Sequence, residues 1–173
     1  MDHLGCDHTN CTASSSNPSV TQTLDEMDWE RSLWNAAFSG EKERVRNLIA
    51  RSREPKEAVN AIDKSGYTPL HYAARSGQVD ICRILLHNGA SINAQTRCGK
   101  ATPLHKAAAA GKALTIKFLI ESGANLEMQD ADGKTALHKL TENQHFDLVN
   151  ILVEACPRIN DIMDFEGNPA IFI

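Results

Sequence analysis

The chain has 173 residues, 42% hydrophobic and 23% charged, with a formal net charge of -4; this is an ordinary globular mixture and excludes collagen-like, mucin-like and wholly disordered classes. No apolar run approaches the roughly 18 residues of a membrane span, and the start MDHLGCDHTNC has neither a basic nor an apolar signal region, so a soluble, non-secreted protein is expected. Five scattered cysteines, Cys6, Cys11, Cys82, Cys98 and Cys156, argue against a disulfide framework and for a reducing cytoplasm or nucleus, while the acidic balance gives no general pull toward nucleic acid or anionic membrane.

Residues 1–22 are polar, rich in Ser, Thr and Asn and without period, which predicts a mobile leader. Order is expected to begin near Thr23, where TLDE resembles a capping box ahead of Met27 and Trp29. Residues 23–62 read as a degenerate copy of a unit repeated downstream: LWNAAFSG at 33–40 overlays LHYAARSG at 70–77, and Val45, Leu48 and Ile49 supply a second helix. SREPKEA at 52–58 reads as a solvated bulge before Val59-Asn60-Ala61.

Three fuller copies then occupy 63–95, 96–129 and 130–163. GYTPLHYAARSG returns as GKATPLHKAAAAG and again as GKTALHKLTENQ, so Leu70, Leu104 and Leu137 form a column 34 and 33 residues apart. In each copy Gly66, Gly99 or Gly133 is expected at a tight turn with positive φ. Thr68-Pro69 and Thr102-Pro103 open a first helix, since the hydroxyl caps free N–H groups and proline at the first helical position sacrifices no hydrogen bond. Ala73-Ala74 and Ala107-Ala108 leave that helix a narrow face for a close neighbour, and Ile81, Cys82, Leu85 and Leu86 make one side of a second helix that stops at Gly89, as the next stops at Gly123. The third copy departs from the pattern at Leu140-Thr141 and at Cys156-Pro157. Residues 164–173, DFEGNPAIFI, restart the motif as a partial copy or cap, with Ile171, Phe172 and Ile173 expected to lie on the third copy.

Helices this short fall below the ~12 to 15 residues of marginal independent stability and must persist by stacking, which explains the repetition. The pattern D-x-x-G-x-T-P-L-H-x-A-A-x-x-G at this period resembles the ankyrin repeat. The resemblance implies an all-α solenoid of stacked helix-turn-helix pairs with β-hairpin-like turns, about four repeats plus a partial C-terminal one. It also implies a non-enzymatic, cofactor-free module that binds another protein, here as a monomer.

In such stacks the turn tips and first helices line a concave groove, and the positions that vary between copies are its candidate readers. These are Phe38 from the degenerate copy; Lys64, Ser65, Tyr67, Tyr72 and Arg75; Arg97, Lys100, Lys106 and Ala109; and Ala131, Asp132, Lys134, Lys139 and Glu142. Seven are basic and two acidic, so a positive groove is expected, with an aromatic patch of Tyr67, Tyr72 and Phe38 at its N-terminal end. An acidic partner segment with an apolar anchor fits that groove; a merely solvated charged face is the competing reading. Family resemblance also marks Asn60, Asn93 and Asn160 as candidate hydroxylation sites, with Leu85 and Leu152 eight residues before the last two.

Other chemistry is weakly supported. His71, His105 and His138 share a column, but equivalent positions of stacked helices lie about 8 to 10 Å apart, too far for one zinc ion, and a hydrogen-bonding role is expected. Asp63 and Asp130 read as turn-formers. His3, Cys6, His8 and Cys11 match no common zinc spacing. A nucleic-acid-associated or metal-binding regulatory role, through the basic groove or this Cys/His leader, is the alternative, although no recognised nucleic-acid motif is present. No phosphate loop or nucleophilic triad can be assembled. Ile171-x-Ile173 resembles a hydrophobic PDZ ligand, with burial the stronger expectation.

Overall fold

The computed structural model describes residues 32–170, so the leader, including His3, Cys6, His8, Cys11, Thr23, Met27 and Trp29, and the terminal Ile171, Phe172 and Ile173 lie outside the described residues. The described chain runs as helical pairs. Helices α1 (Leu33–Ser39) and α2 (Lys42–Arg51) form the first, followed by a short α3 (Pro55–Asn60). Then come α4 (Pro69–Ser76) with α5 (Val79–His87), and α6 (Pro103–Ala109) with α7 (Ala113–Glu121). The last pair is α8 (Ala136–Glu142) with α9 (Val149–Ala155), the latter flanked by 3-10 turns at Phe146–Leu148 and Pro157–Asp161.

Packing follows the columns of the sequence. α1, α4, α6 and α8 stack in one layer, and α2, α5, α7 and α9 stack behind them. Leu70, Leu104 and Leu137 are buried between the first helices, with Ala36-Ala37, Ala73-Ala74 and Ala107-Ala108 providing the narrow seats that let them approach. In α8 the seat is filled by a buried Leu140 and a half-buried Thr141. No helix here exceeds 10 residues, so each depends on these contacts rather than on its own propensity.

Between pairs the chain makes projecting fingers. Asp63 Oδ1 accepts the N–H groups of Ser65 and Tyr67 at 2.9 and 2.8 Å; Asp130 does the same for Asp132 and Lys134, and Asp164 for Glu166 and Asn168. Successive fingers are laced together by single backbone bonds, Arg97 N–H to Ser65 O, Ala131 N–H to Gly99 O and Phe165 N–H to Asp132 O. Gly66 (φ 83°) must be glycine twice over: the conformation is left-handed, and a Cβ there would sit 2.5 Å from Arg97 N in the adjoining finger.

Two expectations need correction. The segment 52–58 is not a simple bulge: Pro55 starts α3, which buries Val59 and docks on the next pair through Asn60, whose Nδ2 donates to Gly89 O and whose Oδ1 accepts Ser91 N–H. Gly99 is not the left-handed residue of the second finger. That finger carries one extra residue, closing Thr96 N–H on Ala101 O where the first closes Asp63 N–H on Tyr67 O, and the insertion moves the positive φ onto Lys100 (47°).

One buried site in the second layer violates the pattern. Thr115 occupies the column of Ile81 and Leu148, is fully buried, and its Oγ1 has no hydrogen-bond partner among the described residues, whereas Leu114 beside it is exposed. An unmet buried hydroxyl costs about 1 to 3 kcal/mol. Thr115→Val is therefore expected to raise the melting temperature by several degrees in a thermal scan; a lower value would mean the hydroxyl has a partner on folding.

Candidate partner-binding face

The geometry of the face is set by the histidine column beneath it. Nδ1 of His71 accepts the Thr68 N–H at 3.1 Å and faces the Thr68 hydroxyl at 2.9 Å, closing a capping box at the start of α4. With Nδ1 accepting, Nε2 carries the hydrogen and donates to Ala101 O in the next finger at 3.0 Å. His105 bridges likewise from Thr102 to Lys134 O at 2.9 Å, and His138 from Thr135 to Asn168 O at 3.2 Å. Both ring nitrogens of each are committed to polypeptide groups, which is why the column serves as mortar between copies and offers no lone pair to a metal. Trp34 holds the same column in the degenerate copy and donates its indole N–H to Ala61 O at 3.1 Å. That role was not anticipated, although the overlay of LWNAAFSG on LHYAARSG places Trp34 there.

Held by these bridges, the first helices and fingers present the variable side chains. Phe38, 44% exposed, packs edge-on to Tyr72 with ring centroids 6.5 Å apart, and Tyr72 lies 5.5 Å from Tyr67. Lys106 completes the row: its Nζ donates to the Tyr67 hydroxyl at 2.7 Å and lies 4.7 Å from the ring centroid. Arg75 lies one turn beyond Tyr72 on α4, while Lys64 is exposed on the first finger and Arg97 and Lys100 on the second. Arg75, Arg97, Lys100 and Lys106 form no ion pair among the described residues. Lys100 holds a left-handed conformation for which the other fingers use glycine, keeping a cation at some cost in backbone energy.

The C-terminal half differs in charge. Lys139 pairs with Asp130 Oδ2 at 2.9 Å and reaches Glu142 at 3.4 Å, and Lys134 also bonds Glu142. Lys134 and Lys139 are thus compensated internally, whereas Arg75, Arg97, Lys100 and Lys106 carry no ion pair among the described residues, so positive charge is greater toward the N-terminal half, next to the aromatic rings. Ala109 is half-buried in α6, and Ser65, Ala131 and Asp132 are exposed on finger tips. A cavity of about 650 Å³ opens at the far end, between Glu142, Phe146 and Val149 on one side and Asp164, Asn168 and Pro169 on the other.

The three candidate hydroxylation asparagines lie apart from this face. Asn60 and Asn93 link successive copies, Asn93 Oδ1 accepting Asn125 N–H at 2.9 Å, and Asn160 is exposed in the last 3-10 turn. Among the described residues no group of three His, Cys, Asp or Glu is placed to hold a metal ion.

A family model described as "Ankyrin repeats (3 copies)" matches residues 10–96 and 94–163. The chain belongs to the ankyrin-repeat family. Ankyrin repeat domain-containing protein 39 of Homo sapiens is 44% identical over 86 residues, half of this chain and 45% of that protein; the protein of the same name from Bos taurus is 48% identical over 67 residues, 39% of this chain and 34% of that protein. A palmitoyltransferase, akr1 of Schizosaccharomyces pombe, is 48% identical over 63 residues, covering 36% of this chain and 9% of that protein. The chain therefore matches less than half the length of each of these relatives. Ankyrin repeats generally serve as protein-protein interaction modules.

The bridges of His71 and His105 are expected to make the ankyrin stack acid-sensitive. Burial pushes the His71 imidazole down to about 4 despite its bond to Ala101 O, and burial lowers His105 as well. A histidine whose pKa falls on folding contributes fully above its unfolded value of about 6.5 and loses that contribution as pH drops toward the folded value. Burial opposes ionisation of Asp130, but the Lys139 ammonium and the finger N–H groups outweigh it and hold the carboxyl below the usual range, so its contribution disappears at lower pH still. Denaturant titrations from pH 7 to pH 4 should show stability declining by about 1.4 kcal/mol per unit for His71 alone below pH 6.5. A flat profile down to pH 4.5 would contradict the neutral, bridging histidine.

Proposed function

We propose that this chain is a non-catalytic adaptor whose finger-and-first-helix groove receives an extended protein segment bearing carboxylates next to an apolar side chain. One observation carries the reading: a row of aromatic rings, Phe38, Tyr72 and Tyr67, ends in the ammonium of Lys106, which has no ion pair among the described residues, within a protein of net negative charge. Aromatic rings bury apolar area at small entropic cost, and aromatic residues and arginine are over-represented among the anchors of protein interfaces. The cations of Arg75, Arg97 and Lys100 beside them give a negatively charged segment a reason to approach this half of the groove and not the ion-paired half. A cytoplasmic or nuclear setting agrees with five cysteines scattered along the sequence.

The test combines capture with salt. A partner recovered by affinity capture with the wild-type chain should be lost when Arg75, Arg97 and Lys100 are all changed to Glu, and its measured affinity should fall about tenfold or more between roughly 50 and 500 mM salt. An affinity indifferent to salt and to the triple change would remove groove electrostatics as the mechanism. Retention of RNA or DNA on filters at comparable concentrations would instead favour a nucleic-acid-associated role.

A further inference from the structure

Three positions can be compared from copy to copy: the residue that opens the finger, the bridging histidine, and the residue after that histidine. In the first full copy the residue after His71 is Tyr72, whose hydroxyl donates to the second oxygen of Asp63 at 2.6 Å. In the third it is Lys139, whose ammonium sits 2.9 Å from the second oxygen of Asp130. The pairing serves the finger: one carboxylate oxygen takes the turn's N–H groups, and the other is met by the helix.

The second copy breaks this arrangement. Thr96 replaces the aspartate and uses its hydroxyl oxygen to accept Ala101 N–H at 3.1 Å, leaving no carboxylate for the residue after His105. That residue is Lys106. Lacking its counterpart, it reaches back to the preceding copy and rests on the Tyr67 hydroxyl and ring, half-buried and without an anionic partner among the described residues. A phenol oxygen and a π face orient an ammonium but leave its charge uncompensated, and a partly desolvated charge gains most from an oppositely charged group that arrives with its own solvent already displaced.

We propose that Lys106 is the specificity-determining cation of the groove, freed by the Asp-to-Thr exchange at position 96 to bind a carboxylate of the partner, whose adjoining apolar side chain lies against Tyr67 and Tyr72. The inference rests on the reading that this groove binds a protein segment, and it names the residue and the chemistry that choose the segment. The substitution at position 96 and the orientation of Lys106 are one device: the same ammonium in the third copy, where the aspartate is retained, is consumed by the fold.

A random dodecapeptide display library panned on the wild-type chain supplies the probe. Selected peptides should be enriched in Asp or Glu next to an aromatic or large aliphatic residue. The affinity of the best synthetic peptide should fall about 10- to 100-fold in Lys106→Met, the loss expected of one charge-assisted contact. Thr96→Asp should produce a comparable loss while leaving Lys106 in place, because the new carboxylate captures it as Asp130 captures Lys139; Thr96→Asn, of similar shape but uncharged, should bind as wild type does. If Thr96→Asp melts early, the contrast between Lys106→Met and Thr96→Asn decides alone. Acidic peptides that bind Lys106→Met as tightly as wild type, yet are lost on Tyr67→Ala or Arg97→Glu, would overturn the role of Lys106 and leave the groove reading intact. Peptides indifferent to every one of these changes would overturn the groove reading itself, and a selection without acidic enrichment would overturn the proposed chemistry.

Discussion

The hydrogen bonds of His71 tie the start of one helix to the finger of the next copy, and much else in this protein depends on that double engagement. One ring nitrogen accepts from Thr68, the other donates to Ala101, and the ring between them is fully buried. Removing either neighbour would strand a polar atom away from water, at a cost of about 1 to 3 kcal/mol. Helix start and neighbouring finger are therefore required together, and the same requirement recurs at His105 and His138. Helices of seven to nine residues become a solid body because each is completed by atoms of the next copy.

That economy restricts where variation is tolerated. Leucines, paired alanines, histidines and finger aspartates are fixed by packing and by hydrogen bonding, so on this face chemical individuality lies at the finger tips and on the outward side of the first helices. Even there the fold claims some residues: Tyr72 completes Asp63, and Lys139 completes Asp130. Recognition is then expected where a structural obligation has lapsed, and Thr96, in place of an aspartate, marks such a point.

The fold was legible because its determinants are periodic and local. Thr-Pro openings, the alanine pairs and the leucine column each have a single sensible geometry, and all of them point to the same stack. The glycine of the second finger was misplaced because aligning on Gly99 ignores hydrogen-bond register: the extra residue hands the left-handed position to Lys100, and only the closure of Thr96 on Ala101 reveals it. The charge balance of the proposed face was not legible. Sequence places Lys134 and Lys139 beside Lys106 as equals, whereas three-dimensional proximity to Glu142 and Asp130 neutralises the first two. Trp34 was overlooked because an indole in a histidine column looks like a core aromatic, although its N–H can make the same kind of bridge.

The most direct test is native-state hydrogen exchange on His105→Ala, read amide by amide. Because the ring of His105 ties α6 to the finger that precedes α8, protection should fall in the finger from Asp130 to Thr135 and in α8 as much as in α6 itself. Loss confined to α6, with the following copy protected as before, would show that the copies stand independently and that the histidine bridge is not what joins them.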